Sequence, residues 1–245
     1  MIRKLIFTVA SAFTLAACAT QQAKVAKISF IEKKPDEIQT SQSLRTFLAK
    51  NKSPKVVVRV SQGISKLAES NEYEMVYSTI EKVLLANGFQ VRDRKLFDQV
   101  FSNKDNATNY ENLYKRSDTD LIIEVLDTNP TVKYTTNKYR EEGSTEEKTG
   151  SYDITKYGSN IEYKVVILKT NEFAGAYKFN FTPCTDGCLY AALVPSKQEL
   201  MGMQKAYKKG EPTVYAERTV VYDKAAYEDF IKVSTQKLID AMRSN

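Results

Sequence analysis

Two short segments constrain the fold more than anything else in the chain. Lys55-Val56-Val57-Val58-Arg59-Val60 and Leu121-Ile122-Ile123-Glu124-Val125-Leu126 are β-branched or aliphatic and almost unbroken in apolar character. Strands that read this way are covered on both faces. The stretch between them has helical spacing. Asn71 opens a segment in which Tyr73, Val76, Tyr77, Ile80, Val83 and Leu84 recur at three- and four-residue steps, with Glu74 placed for a capping box and Asn87-Gly88 as a stop. Phe89-Gln90-Val91 reads as a second strand, 93–101 as a helix with Leu96, Phe97 and Val100 inward, and 109–117 as another short helix. Strand, helix, strand, helix, strand is a layered α/β (α+β) start.

Past Pro130 the period shortens to two. Val132, Tyr134 and Thr136 alternate with polar residues, 138–150 is densely charged, and Tyr152, Ile154 and Lys156 resume the alternation. This predicts a hairpin with a long solvated tip, and 161–168 with 173–181 predict a second hairpin around Thr170-Asn171-Glu172. Residues 182–212 read as an irregular insertion, 213–222 as a strand, and Asp223 opens a final helix with Tyr227, Phe230, Ile231, Ser234, Leu238 and Met242 on one face. The expectation is a mixed sheet with antiparallel hairpins and a C-terminal helix packed on it, forming one domain over 54–245.

The N-terminus gives an address. Arg3 and Lys4 precede thirteen uncharged, mostly apolar residues at 5–17, the length of a signal-peptide core and short of the about twenty residues that span a bilayer. Leu15-Ala16-Ala17-Cys18 resembles the lipobox of bacterial lipoproteins, in which the cysteine is acylated and the leader is cut before it. The resemblance implies a signal peptide at 1–17, lipidation at Cys18 and a lipidated tether over 18–53, on which pieces around Ile28, Phe30, Leu44, Phe47 and Leu48 can dock. Two or three acyl chains hold a protein on a membrane where one does not. Ala19, where an aspartate would favour inner-membrane retention, implies the periplasmic face of the outer membrane.

Composition removes several chemistries. The chain has no histidine, which excludes Ser-His-Asp and Cys-His nucleophile systems, HExxH metal sites and imidazole proton shuttles. Residues 1–17 carry two basic and no acidic groups, so the 36 basic and 30 acidic side chains become 34 and 30 after cleavage. That modest excess, without an aromatic-basic RNA motif and with an envelope address, points away from nucleic acid. Cys184-Thr185-Asp186-Gly187-Cys188 suits a small disulfide loop in an oxidising compartment. It has one residue too many for a redox CxxC and too few partners for zinc. Asp118, Asp120, Glu124 and Asp127 surround the third strand and raise acid-base hydrolysis as an alternative, although their spacing also fits turn and strand-surface positions. Glu141, Glu142, Glu146 and Glu147 are interspersed with Arg140 and Lys148 and read as an exposed loop rather than a cation site. Ser65-Lys66 lacks the rest of a Ser-Lys acylase motif. No catalytic residue, cofactor or metal is expected.

Val56-Val57-Val58, the helix end Leu84-Leu85-Ala86-Asn87-Gly88-Phe89, Val91-Arg92-Asp93-Arg94 and Asp118-Thr119-Asp120-Leu121-Ile122-Ile123-Glu124-Val125 are together similar to a group of periplasmic lipoproteins. The group includes the curli secretion lipoprotein, the lipoprotein activator of a peptidoglycan synthase and the Pel exopolysaccharide-export lipoprotein. The similarity runs over roughly 54–181 and 213–243, with Lys169-Thr170-Asn171-Glu172 and Gly175 at a turn between paired strands. It implies a non-enzymatic scaffold for assembly, secretion or activation. Its partners would be the membrane through the lipid, an envelope protein or a cell-wall or surface polymer, and further copies of itself. A second alternative is a subunit of an oligomeric outer-membrane channel, but 138–150 is too charged for a membrane-inserted hairpin.

Overall fold

The computed structural model describes residues 24–60, 71–101, 110–141, 143–192 and 223–244. Cys18 and the leader, Ser65-Lys66, Glu142, residues 193–212 of the insertion and the strand expected over 213–222 lie outside the described residues. The chain divides into two compact units, Lys27–Cys188 with Ala216–Asn245, and Met1–Ala26 with Leu189–Tyr215. Of the second unit only the strand residues 24–26 and 189–192 are described.

The fold is mixed α/β. Eight strands form one mixed sheet: β1 (Lys24–Phe30), β2 (Glu37–Thr40), β3 (Lys55–Val60), β4 (Gln90–Val91), β5 (Leu121–Glu141), β6 (Lys148–Ile167), β7 (Glu172–Phe181) and β8 (Cys188–Ala192). The described helices are α1 (Gln42–Lys50), α2 (Asn71–Ala86), α3 (Arg94–Phe101), α4 (Tyr110–Ser117) and α5 (Lys224–Arg243). The sheet runs β2-β7-β6-β5-β1-β8, with β3 parallel to both β5 and β4. Thus β5 carries β3 along its first five residues and β1 at its far end, where Ile28 faces Glu141 and Phe30 faces Tyr139.

The continuous apolar runs are explained by two cores. Val56, Val58, Leu121, Ile123 and Val125 pack into the larger one with Leu44 and Leu48 of α1, Val76, Ile80 and Leu84 of α2 and Ile231, Leu238 and Met242 of α5. Val57 and Ile122 point the other way, into a smaller cluster with Phe97 of α3, Leu113 of α4 and Leu168. Strand residues of both parities are therefore buried, as the sequence required. Helix ends follow local chemistry. Gly88 takes φ +84° after α2, Phe89 N–H donates to the Leu84 carbonyl and Gly88 N–H to that of Leu85. This is a Schellman stop, with Leu84 and Phe89 both in the core beneath it. Asp223 caps α5 by accepting from the amides of Ala225 and Ala226.

Two expectations are corrected. The two expected hairpins share one strand: β6 runs unbroken from Lys148 to Ile167, pairing with β5 in the first hairpin and, as expected, with β7 in the second, and 138–141 and 148–150 are strand rather than solvated tip. Bulges between Val125 and Asp127, Asn129 and Val132, and Thr136 and Lys138 absorb the irregular sequence. Leu96 faces solvent (64% exposed), and among the described side chains of α3 only Phe97 is fully inward. The pieces of 18–53 expected to dock do pack on the body: Phe30, Leu44 and Leu48 are buried, and β2 pairs with β7.

Tyr163 lies wholly inside the larger core, its hydroxyl 3.1 Å from Thr235 Oγ1. Burial pushes its ionisation up from 10.0 to about 12. Stability from this group is complete below pH 10 and is lost as pH rises through 12, because the unfolded chain ionises first. We expect Tyr163→Phe to cost about 1 kcal/mol near neutrality and to flatten the fall in denaturant midpoint between pH 10 and 12. An unchanged alkaline slope would show that Tyr163 is not the group responsible.

Candidate functional site

The carboxylates around β5 are not gathered into a pair. Asp118, at φ +49°, accepts from both Lys55 and Arg92; its carboxyl is held below its usual range, first by the Lys55 hydrogen bond. Asp120 Oδ2 accepts from the Lys55 main-chain N–H (2.8 Å) and from Asn51 Nδ2 (3.3 Å), fixing the entry to β3. Glu124 pairs with Lys164 across the strands (3.2 Å). Asp127 stands opposite Glu162, itself bridged to Lys178. The Arg-Asp-Arg motif is likewise structural. Arg92 holds Asp118, Asp93 Oδ1 accepts from Leu96 N–H at the start of α3, and Arg94 ties Glu74 and Glu81 while lying 4.3 Å over the Tyr77 ring. Glu74 thus serves Arg94; the side chain of Asn71, its expected capping-box partner, lies outside the described residues. The Glu81 carboxyl is raised by burial against the opposing pull of Arg94. No group of three metal-ligating side chains occurs among the described residues.

The β5–β6 ladder reaches past the helical layer. Strands of 21 and 20 residues extend about 65–70 Å, whereas α5, with 20 residues, is about 30 Å long. Beyond Val125, Asp127, Asn129, Thr131, Lys133 and Thr135 are exposed, while Thr128, Val132, Tyr134 and Thr136 are half-buried. At the tip Glu141 is paired with Lys148 (2.8 Å) and Glu147 with Lys138 (3.7 Å). Among the described residues no strand pairs with the outer edge of β6 from 148 to 158.

Cys184 and Cys188 sit at disulfide distance, 2.05 Å between sulfurs, in the turn after β7 and not at the head of a helix. The turn is strapped to the chain after β1: Phe30 N–H donates to the Cys184 carbonyl (2.9 Å), Lys34 N–H to Thr182 Oγ1, and Asn180 N–H to Asp36 Oδ1. The strap presses on β6 at Gly158, against which Phe181, Pro183 and Tyr134 all pack.

Sequence reasoning missed a groove of about 470 Å³ at the opposite end of the sheet. Phe47 of α1, Tyr114 of α4 and Ile167 of β6 line it, with Lys50, Lys169, Thr46, Thr170, Asp120 and Glu172 among the surrounding residues. Asp120 and Glu172 share this groove as a hydrolase would ask, but both are engaged as acceptors, Asp120 as above and Glu172 from Ser43 Oγ. The only sequence signal was a recurrence of cations at segment ends: Lys50 closing α1 and Lys52 after it, Arg116 in the last turn of α4 and Lys169 in the β6–β7 turn, all exposed.

No protein-family model and no curated protein matches the chain. Among solved structures it is similar to a dodecamer of a singly substituted PelC from Paraburkholderia phytofirmans, with 6% identity, 86% of this chain and 100% of that chain covered, and a TM-score of 0.39. A second PelC dodecamer from the same organism gives 6% identity, coverage of 86% and 98%, and a TM-score of 0.37. A putative neuraminyllactose-binding hemagglutinin homolog from Helicobacter pylori gives 11% identity, coverage of 79% and 91%, and a TM-score of 0.33. At these scores the likeness establishes no common fold or function.

Proposed function

We propose that the chain is a non-enzymatic, lipid-anchored factor on the periplasmic face of the bacterial outer membrane, which serves assembly, secretion or activation by binding another envelope protein or polymer. The observation that carries this reading is the β5–β6 ladder. A sheet that only had to seat these helices would need strands of ordinary length; these continue for about as far again and end in a turn bordered by the ion pairs Glu141–Lys148 and Glu147–Lys138. Recognition commonly lies on such projections from a rigid sheet. The leader ending at Cys18 supports the anchor, and a cysteine pair at disulfide distance agrees with an oxidising compartment.

Photo-crosslinking in living cells tests it, with probes at Glu146 in the hairpin turn and Asp186 in the cysteine loop, both exposed. A discrete adduct with one envelope component is expected from at least one position, with the protein in the membrane fraction and Cys18→Ser in the soluble one. Absence of any adduct from both probes would refute the assignment of surfaces. Retention of Cys18→Ser in the membrane fraction would refute the anchor.

A further inference from the structure

We propose that the Cys184–Cys188 disulfide is a site of thiol–disulfide exchange with a dithiol protein, and that its reduction releases β1 from the end of the β5–β6 hairpin. Backbone geometry points to it. Cys184 stands at φ +61°, a left-handed conformation that a residue with a Cβ holds only where its surroundings impose it. Two constraints impose it here. The bond to Cys188 closes the turn, and the Cys184 carbonyl accepts from Gly187 N–H inside the turn (3.2 Å) and from Phe30 N–H outside it (2.9 Å). Opening the disulfide removes the covalent constraint. Cys184 then relaxes towards the right-handed or extended basin, and its carbonyl turns away from Phe30. Both cysteines are half-buried and Asp186 between them is exposed, so a reductant reaches the turn without unfolding the body. Disulfides that are accessible and held under backbone strain are the ones that exchange, whereas purely structural ones resist reduction.

The element that this latch holds is separable from the body. Phe30 is buried, yet it belongs to neither core. Among the described residues β1 meets β5 through Ile28, Ser29 and Phe30 alone, set against Glu141, Arg140 and Tyr139. Small sets of contacts outside the main cores open as local units. The chain is held again at Lys34, whose N–H donates to Thr182 Oγ1, and at Asp36, which accepts from Asn180 N–H and pairs with Lys237. Under the lipid-anchored reading, on which this consequence alone rests, release moves the first held residue from Ile28 to Lys34. The covalent reach from Cys18 then grows from at most about 36 Å to about 58 Å. Reduction lengthens the tether and leaves the cores in place.

The exchange balances with the dithiol as reductant. One of its thiolates attacks a cysteine Sγ, forming a mixed disulfide and expelling the other cysteine as a thiolate, which takes up a proton. The second thiol of the reductant then displaces the remaining cysteine. Two electrons and two protons pass to Cys184 and Cys188, and the reductant leaves as a disulfide.

The test is amide exchange, read by mass spectrometry on the full mature chain in detergent, before and after dithiothreitol is added without denaturant. Alkylation is expected to mark both Cys184 and Cys188 after this treatment. Peptides covering 27–34 are expected to exchange at least about tenfold faster once reduced, while those covering 121–125 change by less than about twofold. Cys184→Ser/Cys188→Ser is expected to exchange fast over 27–34 from the outset and to show no response to dithiothreitol. Resistance to reduction until the protein is unfolded, or unchanged exchange over 27–34, would overturn the proposal. Equal loosening over 121–125 would overturn it as well, by making the bond a staple of the whole fold, and so would a response to dithiothreitol that persisted in the double variant. Failure here leaves the fractionation of Cys18→Ser unaffected, so the two readings fall separately.

Discussion

Gly158→Ala is expected to destabilise the protein by about 2–4 kcal/mol, mostly as overpacking, a loss visible as a lower denaturant midpoint and as faster amide exchange over 154–160. An added Cβ would stand 2.0 Å from the Phe181 carbonyl oxygen, 2.8 Å from Tyr134 Cε2 and 3.0 Å from Pro183 Cδ. The first contact is with main chain, so no rotamer change relieves it. Phe181 cannot easily withdraw either. Its neighbour Asn180 donates to Asp36 Oδ1 and the Pro35 carbonyl, Thr182 Oγ1 accepts from Lys34 N–H, and the following turn is closed between Cys184 and Cys188. Gly143→Ala provides the contrast. Nothing lies within 4 Å of a Cβ there, but the residue sits at φ +78° in the hairpin turn, so the expected cost is about 1 kcal/mol, from backbone conformation alone. Equal, small effects at both positions would mean that the strap does not bear on β6, and that the cysteine turn and the hairpin are mechanically separate.

The same strap shows why part of the fold could be read from the sequence and part could not. Val56 to Val58 and Leu121 to Ile123 announced doubly covered strands because both parities of residue have an apolar partner. Asn87-Gly88 announced a stop because the left-handed position it supplies is a local requirement. Pro130 misled: it cannot donate to a ladder, and so reads as a strand end, yet it lies in the gap between the Asn129 and Val132 pairings where an extra residue is bulged out. Its carbonyl accepts from Ser159 Oγ opposite. Periodicity arguments have no term for a bulge, and each of the three in β5 shifts which residues face the core. The groove was harder still. Its lining comes from 42–50, 114, 120 and 167–172, four segments joined only by sheet register, and no spacing within any one of them marks a binding site. The cysteine pair was legible at once, because five residues contain all of its chemistry.

Leu44→Ala should cost about 3 kcal/mol, within the range for a leucine deleted from a packed interior, although 35–53 is rich in lysine, serine and glutamine. Composition makes this stretch resemble a linker; packing decides otherwise. Leu44 is fully buried and Leu48 nearly so, both in the core shared with α2, α5 and the central strands. Ser41 fixes the start of α1 by accepting from the Leu44 amide, and its own N–H donates to the Ala174 carbonyl of β7. Thr40 Oγ1 meets the Tyr177 hydroxyl at 2.9 Å. Removing the Leu44 side chain therefore opens a cavity beneath α1 and loosens the helix that forms one wall of the groove. Leu85→Ala, at a position 56% exposed on α2, should change stability by no more than about 0.5 kcal/mol. Urea titration of both variants decides the matter. If Leu44→Ala matched Leu85→Ala, α1 would be a detachable element of a tether, and the groove it borders would exist only while the tether was docked. A large cost confined to Leu44 makes α1 part of the folding unit.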